Sequence, residues 1–233
     1  MTPTRAPAKP AAVTRRLVQM CAYVVITGIL LFGSAGTLKW LYAWVWLLFT
    51  AGFQIAATLI IGARHPDLME ERSRIREGTK WWDRILVPLL MLSTLAIFVT
   101  AGLDFRFHGA KPPVWLAVIA VAVVDAGALL TTQAMLANRF FATSVRIQTE
   151  RGHRVVSAGP YAYVRHPGYA GALLFTAMAP LALGSRLAAI AAGLTIAVIV
   201  LRTALEDRTL QRELLGYREY AERVRSRLIP GIW

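Results

Sequence analysis

The sequence predicts an all-α fold, a polytopic transmembrane helical bundle of about six spans with a tight hairpin of the last two, a cytosolic loop and a C-terminal amphipathic helix. The composition is the first reason: 56% of the 233 residues are hydrophobic and 17% are charged, against about 45–50% and about 25% in soluble domains. The second is that six apolar segments approach the roughly 20 residues that a helix needs to cross a bilayer. They run from Leu17 to Ala35, Leu41 to Ala63, Ile85 to Leu103, Val114 to Leu136, Tyr169 to Gly184 and Leu187 to Leu205.

Basic residues alternate between rich and poor connections along the chain. The N-terminal tail, the loops after the second and fourth spans and the C-terminal tail carry most of the 26 lysines and arginines, whereas the other loops carry one or two each. The positive-inside rule then places both termini in the cytosol. We expect a multi-pass integral protein of a prokaryotic cytoplasmic membrane with its active site on the cytosolic side. The net charge of +13 is spread over four loops, which argues against a nucleic-acid partner.

The first elements leave two alternatives open. Residues 1–16, rich in proline and alanine, are predicted to be a disordered basic tail, and the apolar segment that follows is either a span or a cleaved signal peptide. Residues 64–82 carry Leu68, Trp81 and Trp82 among many charges, which is typical of a helix lying in the membrane interface or of a solvated connector. This segment and the first four spans together form the predicted membrane region, residues 17–136.

The remaining residues, 137–233, form the second region of the predicted organisation. Its last part is predicted to be a helix that continues from the sixth span and rests on the membrane surface or on the loop before the fifth span. The apolar residues of this helix recur at three- and four-residue steps until Pro230, and they are Leu210, Leu214, Tyr217, Ala221, Val224 and Leu228.

Metal and disulfide chemistry have little support in the sequence. The single cysteine, Cys21, excludes an internal disulfide and a cysteine-based zinc site. The four histidines are not spaced as a metal-binding pair on a helix. We therefore predict no metal site.

Three polar features lie in or beside the spans, where ionisable residues are costly and often functional. Asp125 lies in the middle of the fourth span, as a functional or a structural carboxylate. The loop from Asn138 to Gly171 is rich in glycine, histidine, arginine and tyrosine, which favours ligand binding. Arg202 and Glu206 share a helix face one turn apart, so they either point into one pocket or form a salt bridge at the interface.

Two sequence motifs carry a resemblance to a known family. The segment GPYAYVRHPGYAG is followed about thirty residues later by RTALEDRTLQRELLGYREYAERV. Together they resemble the isoprenylcysteine carboxyl methyltransferase family and its phospholipid methyltransferase relatives. The resemblance extends over roughly Asn138 to Trp233, while the first three spans are similar only in being hydrophobic.

The resemblance implies an integral membrane methyltransferase that uses S-adenosyl-L-methionine without a Rossmann-type domain. It assigns Arg202 and Glu206 as catalytic residues, with Arg202 facing a substrate carboxylate and Glu206 holding the amino or ribose end of the cofactor. Asp207 stands where the family has a second glutamate, which leaves its role undecided. The implied cofactor site consists of Gln148, whose spacing to His153 is shorter than in eukaryotic enzymes, and of His153, Arg154, Val155, Val156, Tyr161, His166, Pro167, Gly168, Tyr169 and Glu206.

The most favoured reaction is O-methylation of the carboxylate of a lipid-like, prenylcysteine-like small molecule. A carboxylate is already ionised at pH 7 and needs no general base, only a cation to hold it and a dry site. N-methylation of a phospholipid head group is the alternative, and it would need a base such as Asp125, Glu206 or His166. A non-catalytic transporter with Asp125 as its intramembrane site is the third reading. Membrane lipids are the other expected partners, and the sequence does not determine the oligomeric state.

Overall fold

The computed structural model describes residues 10–72, 77–109 and 111–233. These residues form eight α-helices and two short 3₁₀ turns, at Thr149–Arg151 and Gly159–Ala162, with no strand among them, and the predicted all-α class is confirmed. The helices are α1 (Pro10–Ala35), α2 (Leu41–Arg64), α3 (Pro66–Arg72), α4 (Asp83–His108), α5 (Val114–Ala137), α6 (Pro167–Leu183), α7 (Leu187–Glu213) and α8 (Tyr217–Arg223).

Five of the described helices, α1, α2, α4, α5 and α7, are long and apolar enough to cross a membrane. The chain is thus an integral membrane protein. The predicted fifth span corresponds to α6, which has 17 residues and is shorter than a full span. Large apolar side chains on the outer faces of the helices, such as Leu48 and Ile190, are exposed, as expected for surfaces that face lipid.

The predicted tight hairpin between α6 and α7 is present. Gly184 ends α6 with a φ of 72°, and a Cβ at this position would lie 2.6 Å from the backbone nitrogen of Pro112, so both conformation and space require glycine. Ser185 donates a hydrogen bond of 2.7 Å from Oγ to Oδ2 of Asp104 at the end of α4. The turn is therefore attached to the same end of the bundle as the connection between α4 and α5.

The core of the bundle is formed by residues of α1, α2, α4, α5, α6 and α7, and its largest side chains, Trp40, Trp46 and Phe98, are almost fully buried. Helices α5 and α6 pack closely against each other, because glycines lie at their contact and no side chains separate the two backbones. A Cβ at Gly127 would lie 2.8 Å from the carbonyl oxygen of Gly171. Small residues at such a contact let two backbones pack directly.

The N-terminal part of the chain differs from its prediction. Helix α1 begins at Pro10, so residues 10–16 are helical and the predicted disordered tail up to residue 16 is wrong for this part, while residues 1–9 lie outside the described residues. Proline is tolerated in the first turn of a helix and alanine favours helix formation, so the residues from Pro10 onward can add two turns before the apolar segment.

The segment from 64 to 82 also differs from a helix lying in the interface. Among its described residues after α2, the helix is Pro66–Arg72, and Leu68 and Met69 are buried against Ile61 rather than facing lipid. Trp81, by contrast, is 75% exposed, as an interfacial anchor would be.

The C-terminal helix is continuous with the last span only as far as Glu213. Gly216, with a φ of 79°, follows a break, and α8 then turns back over the loop before α6. The predicted apolar residues of this tail pack against that loop, where Tyr220 donates a hydrogen bond of 2.7 Å to the carbonyl oxygen of Tyr161. Of the two predicted resting places, the loop is the one that the tail occupies.

Candidate active site

A cavity of about 230 Å³ lies where the loop between α5 and α6 meets the ends of α6 and α7, and we call it the loop cavity. Of the twelve catalytic and cofactor-site residues that the resemblance implies, Pro167 does not line it. It is buried at the start of α6. Those that line it are Gln148, His153, Arg154, Val155, Val156, Tyr161, His166, Gly168, Tyr169, Arg202 and Glu206. The geometry therefore brings together eleven of the twelve predicted positions.

Glu206 and Arg202 enter this cavity from the same face of α7, but they are not paired with each other. The hydroxyl of Tyr169, from the first turn of α6, donates a hydrogen bond of 2.5 Å to Oε2 of Glu206. The guanidinium of Arg202 lies over the ring of Tyr169, 5.3 Å from its centroid. Tyr169 thus separates a carboxylate from a cation that the sequence places one helical turn apart.

The partner of Arg202 is Asp83, which the sequence reasoning missed. Arg202 donates from Nε to Oδ1 of Asp83 at 2.7 Å and from Nη2 to Oδ2 at 3.2 Å, and Nη2 also donates to the carbonyl oxygen of Thr143. Asp83 is fully buried in the first turn of α4 and accepts a further bond from the backbone N–H of Val145. Its place just after a pair of tryptophans at the start of an apolar segment was the one local signal for it.

Asp207 points away from the loop cavity and organises the C-terminal segment. Arg165 donates to both of its oxygens, at 2.8 and 2.9 Å, and Arg227 donates to Oδ2 at 2.9 Å. Tyr217 and His166 contact Oδ1 at 3.1 Å each. The geometry gives this carboxylate a structural role, because it ties α7, the start of α6 and the chain after α8 together behind the cavity.

Gln148 and His153 lie at the opposite wall of the loop cavity. The side-chain amide of Gln148 is buried and donates a bond of 2.7 Å to the carbonyl oxygen of Phe140, while its Oε1 accepts from Arg151. The ring of His153 packs on Phe140 at 4.7 Å between centroids. Burial, together with the charges of Arg151 and Arg146, lowers the pKa of His153 to about 4, so its ring is neutral at pH 7.

Tyr161 closes the cavity from the side of the C-terminal tail. It is buried, its hydroxyl oxygen accepts a bond of 3.2 Å from Asn138, and burial raises its pKa well above the usual value. It therefore offers an uncharged aromatic face. Asn138 and Phe140 are further lining residues that the sequence reasoning did not select.

Asp125 does not line the loop cavity. It lies half-buried on a second cavity of about 330 Å³ between the spans, which we call the membrane cavity. Most of this cavity is apolar, and its walls include Phe53, Ala57, Leu90, Met135, Phe175 and Ile199. The two cavities share two lining residues, Gly168 and Arg72.

Comparison with known proteins shows which family these features resemble. Residues 116–212, which carry α5, the loop, the hairpin and both catalytic candidates, match the isoprenylcysteine carboxyl methyltransferase family. This region therefore resembles that family over about two fifths of the chain. The resemblance stated from the two motifs is thereby confirmed, and it reaches further toward the N-terminus than those motifs.

Curated relatives in this family come from plants. Protein-S-isoprenylcysteine O-methyltransferase B of Arabidopsis thaliana is 31% identical over 127 residues, 52% of this chain and 62% of its own length. Protein-S-isoprenylcysteine O-methyltransferase A of the same plant is 28% identical over 145 residues, 59% of this chain and 71% of its own length. A probable protein-S-isoprenylcysteine O-methyltransferase of rice is 31% identical over 94 residues. The chain spans about three fifths of the first of these relatives and about half of the rice protein.

A solved structure extends the likeness to nearly the whole chain. The eukaryotic intramembrane Ras methyltransferase of this family, solved without a monobody, superposes with a TM-score of 0.58 at 19% identity, over 91% of this chain and 75% of the other. At this identity the match establishes the fold. The N-terminal spans, which lie outside the matched family region, therefore share the family architecture.

Proposed function

We propose that this protein is an S-adenosylmethionine-dependent methyltransferase that methylates the carboxylate of a prenylcysteine-like amphiphile. The observation that carries the proposal is the pair of cavities: one under the loop with charged and aromatic side chains in its wall, and a more apolar one between the spans, meeting at Gly168 and Arg72. In this arrangement a water-soluble cofactor can bind in the loop cavity and a lipid-like substrate in the membrane cavity, so that the two react where the cavities meet. The match of residues 116–212 to the family and the names of the plant relatives support the same reaction.

The residues of the loop cavity fit the proposed cofactor. S-adenosylmethionine supplies an electrophilic methyl group on a positively charged sulfonium. Glu206 offers a carboxylate to its cationic end, and the rings of Tyr161 and Tyr169 offer faces for stacking and cation–π contact. His153 is neutral at pH 7 and so does not repel a cationic ligand. Gln148, whose amide is engaged with Phe140 and Arg151, contributes to the shape of the wall.

The protein's own part in the reaction is to position the nucleophile and exclude water. A carboxylate is ionised at neutral pH, so the site needs no general base to activate it. Leu210, Leu214 and Tyr217, from the end of α7 and the start of α8, line the loop cavity on the side of the C-terminal tail. Their side chains exclude water that would otherwise solvate the nucleophile. Holding the reacting atoms about 3–3.5 Å apart is then the main source of rate enhancement.

The alternative of N-methylation receives no comparable support. It needs a base beside the reacting amine, and two of the three candidates are badly placed for this task. Asp125 lines the membrane cavity and not the loop cavity, and Nε2 of His166 lies 3.1 Å from Asp207, with which it is engaged. The plant relatives are named as O-methyltransferases.

A labelled-methyl transfer assay on the detergent-purified protein tests the proposal. The acceptors are N-acetyl-S-farnesylcysteine, a fatty acid and phosphatidylethanolamine, with calorimetric titration of S-adenosylhomocysteine run alongside. We expect cofactor-product binding and label on farnesylcysteine that alkali releases as methanol. Alkali-stable label on phosphatidylethanolamine would favour N-methylation, and absence of S-adenosylhomocysteine binding would contradict a methyltransferase of any kind.

A further inference from the structure

Arg72, the last residue of α3, occupies the junction between the two cavities. Among the described residues it is the one charged side chain that lines both of them. The other shared residue, Gly168, has no side chain. A ligand that extends from the membrane cavity into the loop cavity must therefore pass the guanidinium of Arg72.

The ring of Phe141 forms the partition at this junction. A Cβ at Gly168 would lie 2.5 Å from two carbons of this ring, so glycine is required for the ring to lie where it does. The guanidinium of Arg72 lies 5.1 Å from the ring centroid. Arg72 is thus held beside the opening by a flat aromatic surface, a contact that leaves its N–H groups available.

Arg72 also differs from the other arginines at the back of the loop cavity. Arg202 is paired with Asp83, Arg146 with Glu71 at 2.7 Å, and Arg165 with Asp207. Within the described part of the chain, no carboxylate lies at ion-pair distance from Arg72. Burial and the guanidinium groups of Arg16 and Arg202 lower the pKa of Arg72 to about 9, so it remains a cation at pH 7 without a counter-ion.

We infer that Arg72 binds the acidic head group of the amphiphile whose chain occupies the membrane cavity. A half-buried cation without a counter-ion is costly, and an anionic ligand supplies the missing partner. The planar guanidinium matches a carboxylate with two parallel hydrogen bonds. This inference rests on the proposed function and deepens it: it transfers to Arg72 the carboxylate-binding role that the resemblance implied for Arg202, whose guanidinium is already engaged by Asp83.

Binding measurements with an acid and its neutral counterpart test this assignment. The probes are N-acetyl-S-farnesylcysteine and its carboxamide, titrated into detergent-purified wild type, Arg72→Gln, Arg72→Lys and the control Arg186→Gln. Arg186 lies in the hairpin turn, away from both cavities. The wild type and the control should prefer the acid. Arg72→Gln should weaken acid binding about ten- to hundredfold and leave amide binding unchanged, because it removes charge-assisted hydrogen bonds.

The affinity for S-adenosylhomocysteine, measured on the same samples, separates the possible failures. If Arg72→Gln keeps the preference for the acid, or loses cofactor-product affinity instead, Arg72 does not bind the substrate. If it does not fold, Arg72→Lys decides: a reduced preference supports the assignment, because lysine lacks the two-donor fork, and an unchanged preference contradicts it. A wild type that binds acid and amide equally also overturns it. Failure of the proposed function appears separately, as absence of S-adenosylhomocysteine binding in the wild type.

Discussion

At the residue scale, the loop cavity depends on a counter-ion that lies 119 positions away in sequence from the arginine it neutralises. Arg202 is 7% exposed and Asp83 is fully buried, so neither charge is stabilised by water. Removing one partner of such a pair is costly because the other charge remains buried. The pair also orients the loop, since Asp83 accepts from the N–H of Val145.

We therefore predict that Asp83→Asn lowers the free energy of unfolding by about 3–5 kcal/mol. The matched control is Asp67→Asn, because Asp67 pairs with Arg139 and Arg151 at a half-exposed position, and its loss should cost less than about 1 kcal/mol. Thermal unfolding in detergent measures both. Equal destabilisation by the two variants would show that the buried pair contributes no more than the exposed one.

Glu206 and Arg202 should differ in their effect on the cofactor. Glu206→Gln keeps the shape of the side chain and removes its charge, so it should weaken S-adenosylhomocysteine binding by about 1.5–3 kcal/mol. Arg202→Lys should leave that affinity nearly unchanged and lower stability, because lysine cannot reproduce the two-donor contact with Asp83. Calorimetric titration of both variants decides. A common loss of cofactor affinity would contradict this division of roles.

His153 provides a prediction about pH. Its pKa is about 4 in the folded protein and near 6.5 when unfolded, so the unfolded chain binds more protons between these values. Stability that is present above pH 6.5 is thus lost as the pH falls toward 4. His153→Gln should flatten the dependence of the unfolding temperature on pH between 6.5 and 5, above the range in which carboxylates titrate. An unchanged slope would mean that His153 titrates alike in both states.

At the element scale, the contact between α5 and α6 sets the position of the loop cavity. Gly168 and Tyr169 lie in the first turn of α6, and Gly171 follows within one turn at the contact with Gly127. A shift of α6 relative to α5 would therefore move the residues that line both cavities. The short length of α6 matters less, because its turn into α7 reaches the level of Asp104 and Pro112 at the far end of the bundle.

We predict that Gly127→Ala destabilises the protein by about 1–3 kcal/mol, because its Cβ would lie 2.8 Å from the carbonyl oxygen of Gly171. The matched control is Gly193→Ala in α7, where a Cβ meets nothing within 4 Å. Alanine there should be neutral or stabilising, since it is the better helix former. Unfolding temperatures in detergent compare the two. A Gly127→Ala variant as stable as Gly193→Ala would contradict a tight helix contact.

At the scale of the whole molecule, the loops with few arginines gather at one end of the bundle. Trp40, between α1 and α2, stacks on Phe105 of α4 at 4.6 Å, and Tyr42 donates a bond of 3.0 Å to the carbonyl oxygen of Pro112. The hairpin turn at Ser185 joins the same end through Asp104. The basic loops and the loop cavity lie at the other end. This arrangement supports the proposal that both termini and the cavity are cytosolic.

The curated relatives come from plants, so the comparisons lend no support to the predicted prokaryotic membrane.

Cysteine labelling in sealed vesicles tests the proposed orientation. In a Cys21→Ala background, Lys111→Cys and Ser157→Cys place single thiols at exposed positions on opposite ends of the bundle. A membrane-impermeant maleimide should label Lys111→Cys from outside and Ser157→Cys only after the vesicles are opened. Labelling of both from the same side would overturn the topology.

The sequence by itself determined the spans, the loop and eleven of the residues that line the loop cavity. Hydropathy and helical periodicity act over neighbouring residues, so the long helices were predicted with ends within a few residues, apart from the early start of α1 and the extension of α7. The motif around His166 and the positions Arg202 and Glu206 were recognisable because they lie close together in the chain. Their chemical roles remain proposals.

Only the tertiary structure decided which charge meets which. Arg202 pairs with Asp83, Asp207 turns away from the cavity toward Arg165, and Arg72 stays without a carboxylate within the described residues. It also showed that the C-terminal tail breaks at Gly216 and lies on the loop. The physical reason is the same in each case. Which residues become counter-ions or packing partners depends on which helix faces meet in space. Local sequence patterns describe only neighbouring residues, so they do not predict contacts between residues far apart in the chain.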